Sequence, residues 1–142
     1  MNGVKAGTTG STVKLTWNKA KYANRYKVQR YVVSQKKWKT YATVTGTSYT
    51  FKNMAESTNY RFRVIGVNRI CDADFSGKAS KECKAKTKFG KVLGVKVSDK
   101  NGTLSVKWNA VREAKSYQVY YATKKDGSYK KLGTASGTSF KK

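Results

Sequence analysis

The sequence predicts an all-β protein, a two-sheet sandwich present once in full and followed by a partial second copy. Three observations carry that expectation. Apolar and polar residues alternate over short stretches, the period of two that turns one face of a strand toward a core. Turn signals separate those stretches at short intervals, as in packed antiparallel sheets. Sliding the chain against itself by 91 residues superposes Gly3-Val4-Lys5 on Gly94-Val95-Lys96, Trp17-Asn18 on Trp108-Asn109, and Gly46-Thr47-Ser48-Tyr49 on Gly137-Thr138-Ser139-Phe140, with no gap.

The strands follow in chain order. Val13, Leu15 and Trp17 alternate with Lys14 and Thr16. Tyr26 and Val28 continue the pattern, followed by Tyr49 and Phe51, and then by Tyr60, Phe62 and Val64 with Arg61 and Arg63 between them. In the run KECKAKT, 81–87, Cys83 and Ala85 take the inward positions. The second copy repeats the opening, with KVLGVKV at 91–97 as its first strand. Asn101-Gly102 between VKVS and LSVKW is a strong hairpin-turn signal, and the turn accounts for Asn101-Gly102-Thr103 better than a glycosylation site does.

Residues 1–51 match 92–142, so 52–88 has no counterpart. The chain therefore reads as one domain at 1–88 and the N-terminal part of another at 89–142, an excerpt from a longer array. A period near 90 residues suits a self-standing domain rather than a solenoid repeat.

Trp17, the spacing of Ala23, Tyr26 and Val28, and the run MAESTNYRFRV at 54–64 together resemble a fibronectin type III domain, an immunoglobulin-like β-sandwich. The resemblance spans the first copy and the first half of the second. It implies that Tyr60 closes a corner by sending its hydroxyl to upstream backbone. The lysine-rich version of the motif resembles modules strung along surface and secreted proteins of Gram-positive bacteria. That likeness implies an extracellular or cell-surface setting and other domains of the same chain as partners. The joint TKFGKVLG, 87–94, lacks the prolines common between such modules.

Thirty-one Lys and Arg against seven Asp and Glu leave +24, enough to attract any polyanion and silent about the fold. No apolar run reaches the ~18 residues of a membrane-spanning helix. Cys71 and Cys83 leave two readings, a pair across a loop in an oxidising compartment or two small thiols.

Histidine, the commonest general base and metal ligand, is absent. Asp72 and Asp74 in CDADFSG are too few oxygens for a calcium cage. Phosphate loops, zinc spacings and nucleophile elbows are missing too. We therefore expect no catalysis, cofactor or metal.

Strand parity offers one sharper expectation. If Tyr26, Val28, Tyr60, Phe62, Val64, Cys83 and Ala85 face the core, then Lys27, Arg61, Arg63, Lys84 and Lys86 face solvent. The resemblance makes these strands neighbours, so five cations share one outer face, with Lys37 and Lys39 at its margin and no acid among them. Like charges opposed across strands are unfavourable. A bound teichoic acid, acidic polysaccharide or nucleic acid would relieve them, whereas lysines splayed into water need no ligand. Tyr22, Tyr31, Trp38, Tyr41 and Phe75 also stand outside the clear core pattern; such aromatics stack on sugar rings or bases, although packing is their commoner role in a small sandwich. Trp38 matches Tyr129, which predicts a shared packing role. Tyr22, whose counterpart is Glu113, has none and is a candidate loop contact.

The function expected is a non-catalytic spacer or adhesion module. The alternatives are a polyanion-binding module and an accessory module of a glycan-degrading or wall-remodelling enzyme.

Overall fold

A computed structural model of the chain describes residues 3–142. Their contacts divide into two compact units, with the boundary between Lys88 and Phe89.

The first unit has two sheets. One pairs β1 (Lys5–Thr8), β2 (Val13–Thr16) and β5 (Ser48–Phe51) in that order. The other runs β4 (Lys37–Val44), β3 (Arg25–Val32), β6 (Asn59–Ile70) and β7 (Ala73–Ala79), with β8 (Cys83–Lys86) also on β6. β6 is twelve residues long and serves both β7 and β8. Ser80 joins those two partners across the break. Its amide donates to the Val64 carbonyl at 2.8 Å, and its hydroxyl accepts the Val64 N–H at 2.9 Å.

The inward positions meet as the alternation predicts. Val13, Leu15, Val28, Phe62 and Val64 are 0 % exposed, with Trp17, Tyr26, Phe51 and Met54 around them. Each such side chain contributes about 1.5–3 kcal/mol by leaving water. Tyr60 forms the expected corner, its hydroxyl accepting the Ala55 N–H at 3.0 Å while its ring packs on the core. The all-β sandwich is therefore as the sequence predicts.

The second unit pairs β9 (Lys96–Lys100), β10 (Thr103–Lys107) and β13 (Ser139–Lys141) in one sheet, and β11 (Tyr117–Tyr121) with β12 (Lys130–Ala135) in another. Asn101 and Gly102 both take positive φ, at 53° and 80°, and join Lys100 to Thr103 in the predicted tight hairpin. The opening strand is shorter than 91–97. Gly94 turns at φ 67° and the Leu93 carbonyl accepts the Asn109 N–H at 2.9 Å, so pairing starts only at Lys96. Counterparts of β6, β7 and β8 are missing among the described residues.

Candidate functional site

The candidate site is the outer face of the sheet built on β3 and β6. Because Tyr26 and Val28 fill the core, Lys27, Gln29 and Tyr31 face outward. Because Phe62 and Val64 do so on β6, Arg61 and Arg63 face outward beside them. β8 runs antiparallel to β6 with Lys84 opposite Arg61 and Lys86 opposite Asn59. The five cations singled out by parity do share one side of one sheet.

That side is not free of acids, which corrects the expectation. Glu82 holds Arg61 through both carboxylate oxygens, Nη2 donating to Oε2 at 2.8 Å and Nε to Oε1. Asp74 accepts from Arg69 Nη1 at 2.8 Å and lies 3.5 Å from Lys27 Nζ. Asp72 lies 3.5 Å from Arg69 Nη2. The cause is pairing and parity together. The alternation that turns Lys84 outward also turns Glu82 outward, and β7 sets Asp74 directly opposite Arg69. Much of the repulsion across the strands is thus offset within the protein itself.

The electrostatics agree. Hydrogen bonding to Arg61 holds the Glu82 carboxyl below the usual range, and Arg69 does the same for Asp74 with help from Lys27. The same Glu82 contact drives the Arg61 guanidinium further toward its charged form.

An aromatic pair, not assigned to this face from the sequence, organises it. Tyr31 and Trp38 are opposite each other on β3 and β4, their rings edge-on at 5.4 Å. Arg61 lies 4.1 Å from the Tyr31 ring centre, and Arg63 lies 4.4 Å from that of Trp38. Arg63 also donates to Gln29 Oε1 at 2.7 Å, and Gln29 donates to the Thr40 hydroxyl at 2.9 Å. Guanidinium planes on aromatic faces are attracted electrostatically, so the arginines are held in place rather than waving in solvent. The packing role expected for Trp38 and Tyr129 is not a shared one. Trp38 packs on this outer face, whereas Tyr129 is exposed. One signal was available: residue 31 has the same parity as 27 and 29. Lys37 and Lys39 are exposed on the edge strand β4 but flank the outward Trp38 and so turn to the sheet's other side, Lys39 standing opposite Arg30 with its ammonium 5.4 Å from the Tyr41 ring centre, which corrects their expected place at the margin of this face.

Of the two readings of the cysteines, the geometry matches two separate thiols. Both thiols are free, with Cys71 exposed in the β6–β7 turn and Cys83 opposite Phe62 near the other end of β6. About eight residues of strand separate the two levels, roughly 25 Å at ~3.3 Å per residue. A disulfide needs Cα atoms within about 7 Å. Burial pushes the Cys83 thiol up, which disfavours the reactive thiolate.

Tyr22 stands in the turn before β3 at φ 65°, with its ring 76 % exposed. Together with Phe75 of β7 it borders a groove at that end of the unit. No group of three or more His, Cys, Asp or Glu that could hold a metal is found among the described residues. No helix there is long and apolar enough to cross a membrane.

The sequence model of the fibronectin type III domain matches residues 2–82. Among solved structures the chain is similar to an Fn3-like protein from Clostridium thermocellum, 34 % identical, TM-score 0.50, covering 58 % of this chain and 84 % of that one. It is similar to a segment of two fibronectin type III domains from chicken tenascin, 22 % identical, TM-score 0.52, covering 98 % and 79 %. Domains A168–A170 of titin are 27 % identical, TM-score 0.51, covering 61 % of this chain and 30 % of theirs. No curated protein matches.

Proposed function

The chain belongs to the fibronectin type III family, and from that premise we propose that it is a non-catalytic spacer and interaction module of a longer bacterial surface or secreted protein. Residues 1–88 are one module and 89–142 the N-terminal part of a second, so its nearest partners are other domains of its own chain. The observation that carries this reading is the repeated frame. The Ala20 N–H donates to the Tyr26 hydroxyl at 3.0 Å, and 91 residues later the Val111 N–H donates to the Tyr117 hydroxyl at 2.9 Å. One body used in tandem suits separating and presenting other parts of a protein. Fibronectin type III domains are generally non-catalytic, and the likeness to a Clostridium protein supports a bacterial source. The role of an accessory module beside a wall-remodelling enzyme fits the same residues and differs only in its neighbours.

A second reading is favoured by five cations on one face of a chain carrying +24: binding of a polyanion such as teichoic acid, acidic polysaccharide or nucleic acid. The carboxylates on Arg61 and Lys27 shift the weight of that reading toward Arg63, which is held by Trp38 and Gln29.

The test is sedimentation of the 142-residue chain with purified Gram-positive cell walls, intact or stripped of anionic polymer, over a salt series. Saturable binding that survives stripping supports the interaction module. Binding lost on stripping, with a salt slope reduced by Arg63→Glu and Lys84→Glu, supports the polyanion reading. No binding to either preparation removes the interaction half and leaves the spacer alone.

A further inference from the structure

At the end of the first unit where β3 begins, Tyr22 and Phe75 border a groove of about 450 Å³. Lys21, Lys78, Asn68, Ser76, Gly66 and Gly77 are among its other lining residues, and no carboxylate lines it among the described residues. The two aromatics come from positions 53 residues apart, and neither is needed where it stands. The turn holding Tyr22 takes the same shape in the second unit, where Glu113 has φ 61° against 65°. The backbone therefore does not require an aromatic. Nor does packing, since Tyr22 is 76 % and Phe75 62 % exposed. What distinguishes these two from the other exposed apolar side chains is that both border one groove, where they offer an apolar surface for a partner to cover.

β7 skips Gly66 in its pairing with β6, and a Cβ on Gly77 would sit 3.5 Å from the Gly66 carbonyl oxygen. The two glycines thus line the groove without adding side chains to it. The volume falls in the range of small-ligand sites. The ammonium of Lys21 lies 5.0 Å from the Tyr22 ring centre, so charge and ring face are presented together.

We propose that this groove is a subsite for an acidic saccharide, one or two rings long. Tyr22 and Phe75 cover the C–H faces of the sugar, and Lys21 and Lys78 meet its carboxylate or ester anion. The proposal deepens the interaction-module reading and rests on it. A saccharide ring has an apolar face and a hydroxyl rim, the same division the groove shows between its rings and the polar Asn68 and Ser76. A nucleobase could also stack on the rings and reach Asn68 and Ser76 with its edge, so oligothymidylate is the competing probe. An added peptide strand would need a regular edge, and β7 is bulged opposite Gly66 and interrupted before Ser80.

The test uses the whole 142-residue chain, with trigalacturonate, its methyl ester and oligothymidylate as probes in titrations followed by NMR and calorimetry. Trigalacturonate is expected to bind at least tenfold better than its ester. Tyr22→Asn, a residue that tolerates positive φ, and Phe75→Ser are each expected to weaken it at least tenfold with the thermal melt unchanged. Lys21→Gln with Lys78→Gln should erase the preference for acid over ester, while Arg63→Glu on the outer face should leave it intact. Equal affinity for acid and ester, insensitivity to Tyr22→Asn, or tighter binding of oligothymidylate overturns the proposal. Cell-wall binding that persists in Tyr22→Asn when trigalacturonate fails to bind overturns this subsite while leaving the interaction module standing.

Discussion

Trp17 and Trp108 occupy the same local frame in the two units and very different surroundings. Each indole packs on the tyrosine nine positions ahead, with ring centres at 5.6 Å and 5.3 Å. Each backbone N–H donates at 3.0 Å to a threonine carbonyl, Thr47 in one unit and Thr138 in the other. Past this frame the likeness ends. Val28, in the first unit, is fully buried, whereas its counterpart Val119 is half-buried, and Val97, the counterpart of half-buried Ala6, is 64 % exposed. The difference is β6, which supplies Phe62, Val64 and Val67 to one core and has no equivalent opposite the other among the described residues. Hydrogen bonds and ring contacts of short reach are specified by the local sequence. Burial, which contributes most of the stability, is specified by the strand that arrives from far along the chain.

The sharpest way to break this comparison is to separate the units. Residues 1–88 are expected to melt in one cooperative transition by calorimetry. Residues 89–142 alone are expected to give none, because Val95, Val97 and the face around Trp108 would remain in water. A cooperative transition in the second piece would mean that the frame alone suffices. A smaller effect comes from the matched tryptophans within the whole chain. Trp17→Ala opens a closed core and should cost about 3–5 kcal/mol in urea unfolding. Trp108 is nearly as buried, 8 % against 5 % exposed, but it belongs to the second unit, so Trp108→Ala should shift the main transition, which is the first unit's, by no more than about 0.5 kcal/mol. Equal costs would show that the second unit has a core of comparable worth.

What the sequence made legible follows the same division. Alternation found Val13 and Leu15 of β2, Tyr26 and Val28 of β3, and Tyr60, Phe62 and Val64 of β6, but not Val67, which follows the register shift after Ile65; the offset found the repeat, and Asn101-Gly102 found the hairpin. These signals are local, or are copies of one another. The pairing of β7 with β6 carried no such signal, since Ala73–Ala79 has no inward apolar row and every residue before Ala79 is exposed. For that reason Asp74 beside Arg69 was invisible, and so was Phe75 beside Tyr22. Glu82 is different. It shares the parity of Lys84 and was legible as an outward neighbour of Arg61. Trp38 misled because an aromatic in a small sandwich is usually core, and here it is a lid over arginines.

The smallest effect concerns the charged face, and it sharpens the comparison because Glu82 and Asp74 both belong to the first unit. Arg61 and Arg69 hold these carboxyls below their ordinary range in the folded protein. Through the ordinary carboxylate range the unfolded chain therefore binds protons before the folded one does. The stability they contribute is complete above that range and is lost as pH falls through the lower, folded values. Both groups stand at the surface, so the loss should be modest and should shrink in high salt. Thermal melts of the whole chain from neutral pH downward should show the melting temperature falling, with Glu82→Gln and Asp74→Asn each flattening part of that fall. Because like-charged neighbours then lose their internal counter-ions, the double variant should also be the one whose neutral-pH melt rises most on adding salt. A double variant with the acid sensitivity of the parent would show that these two carboxylates do not offset the five cations, and that the face depends on something outside the protein.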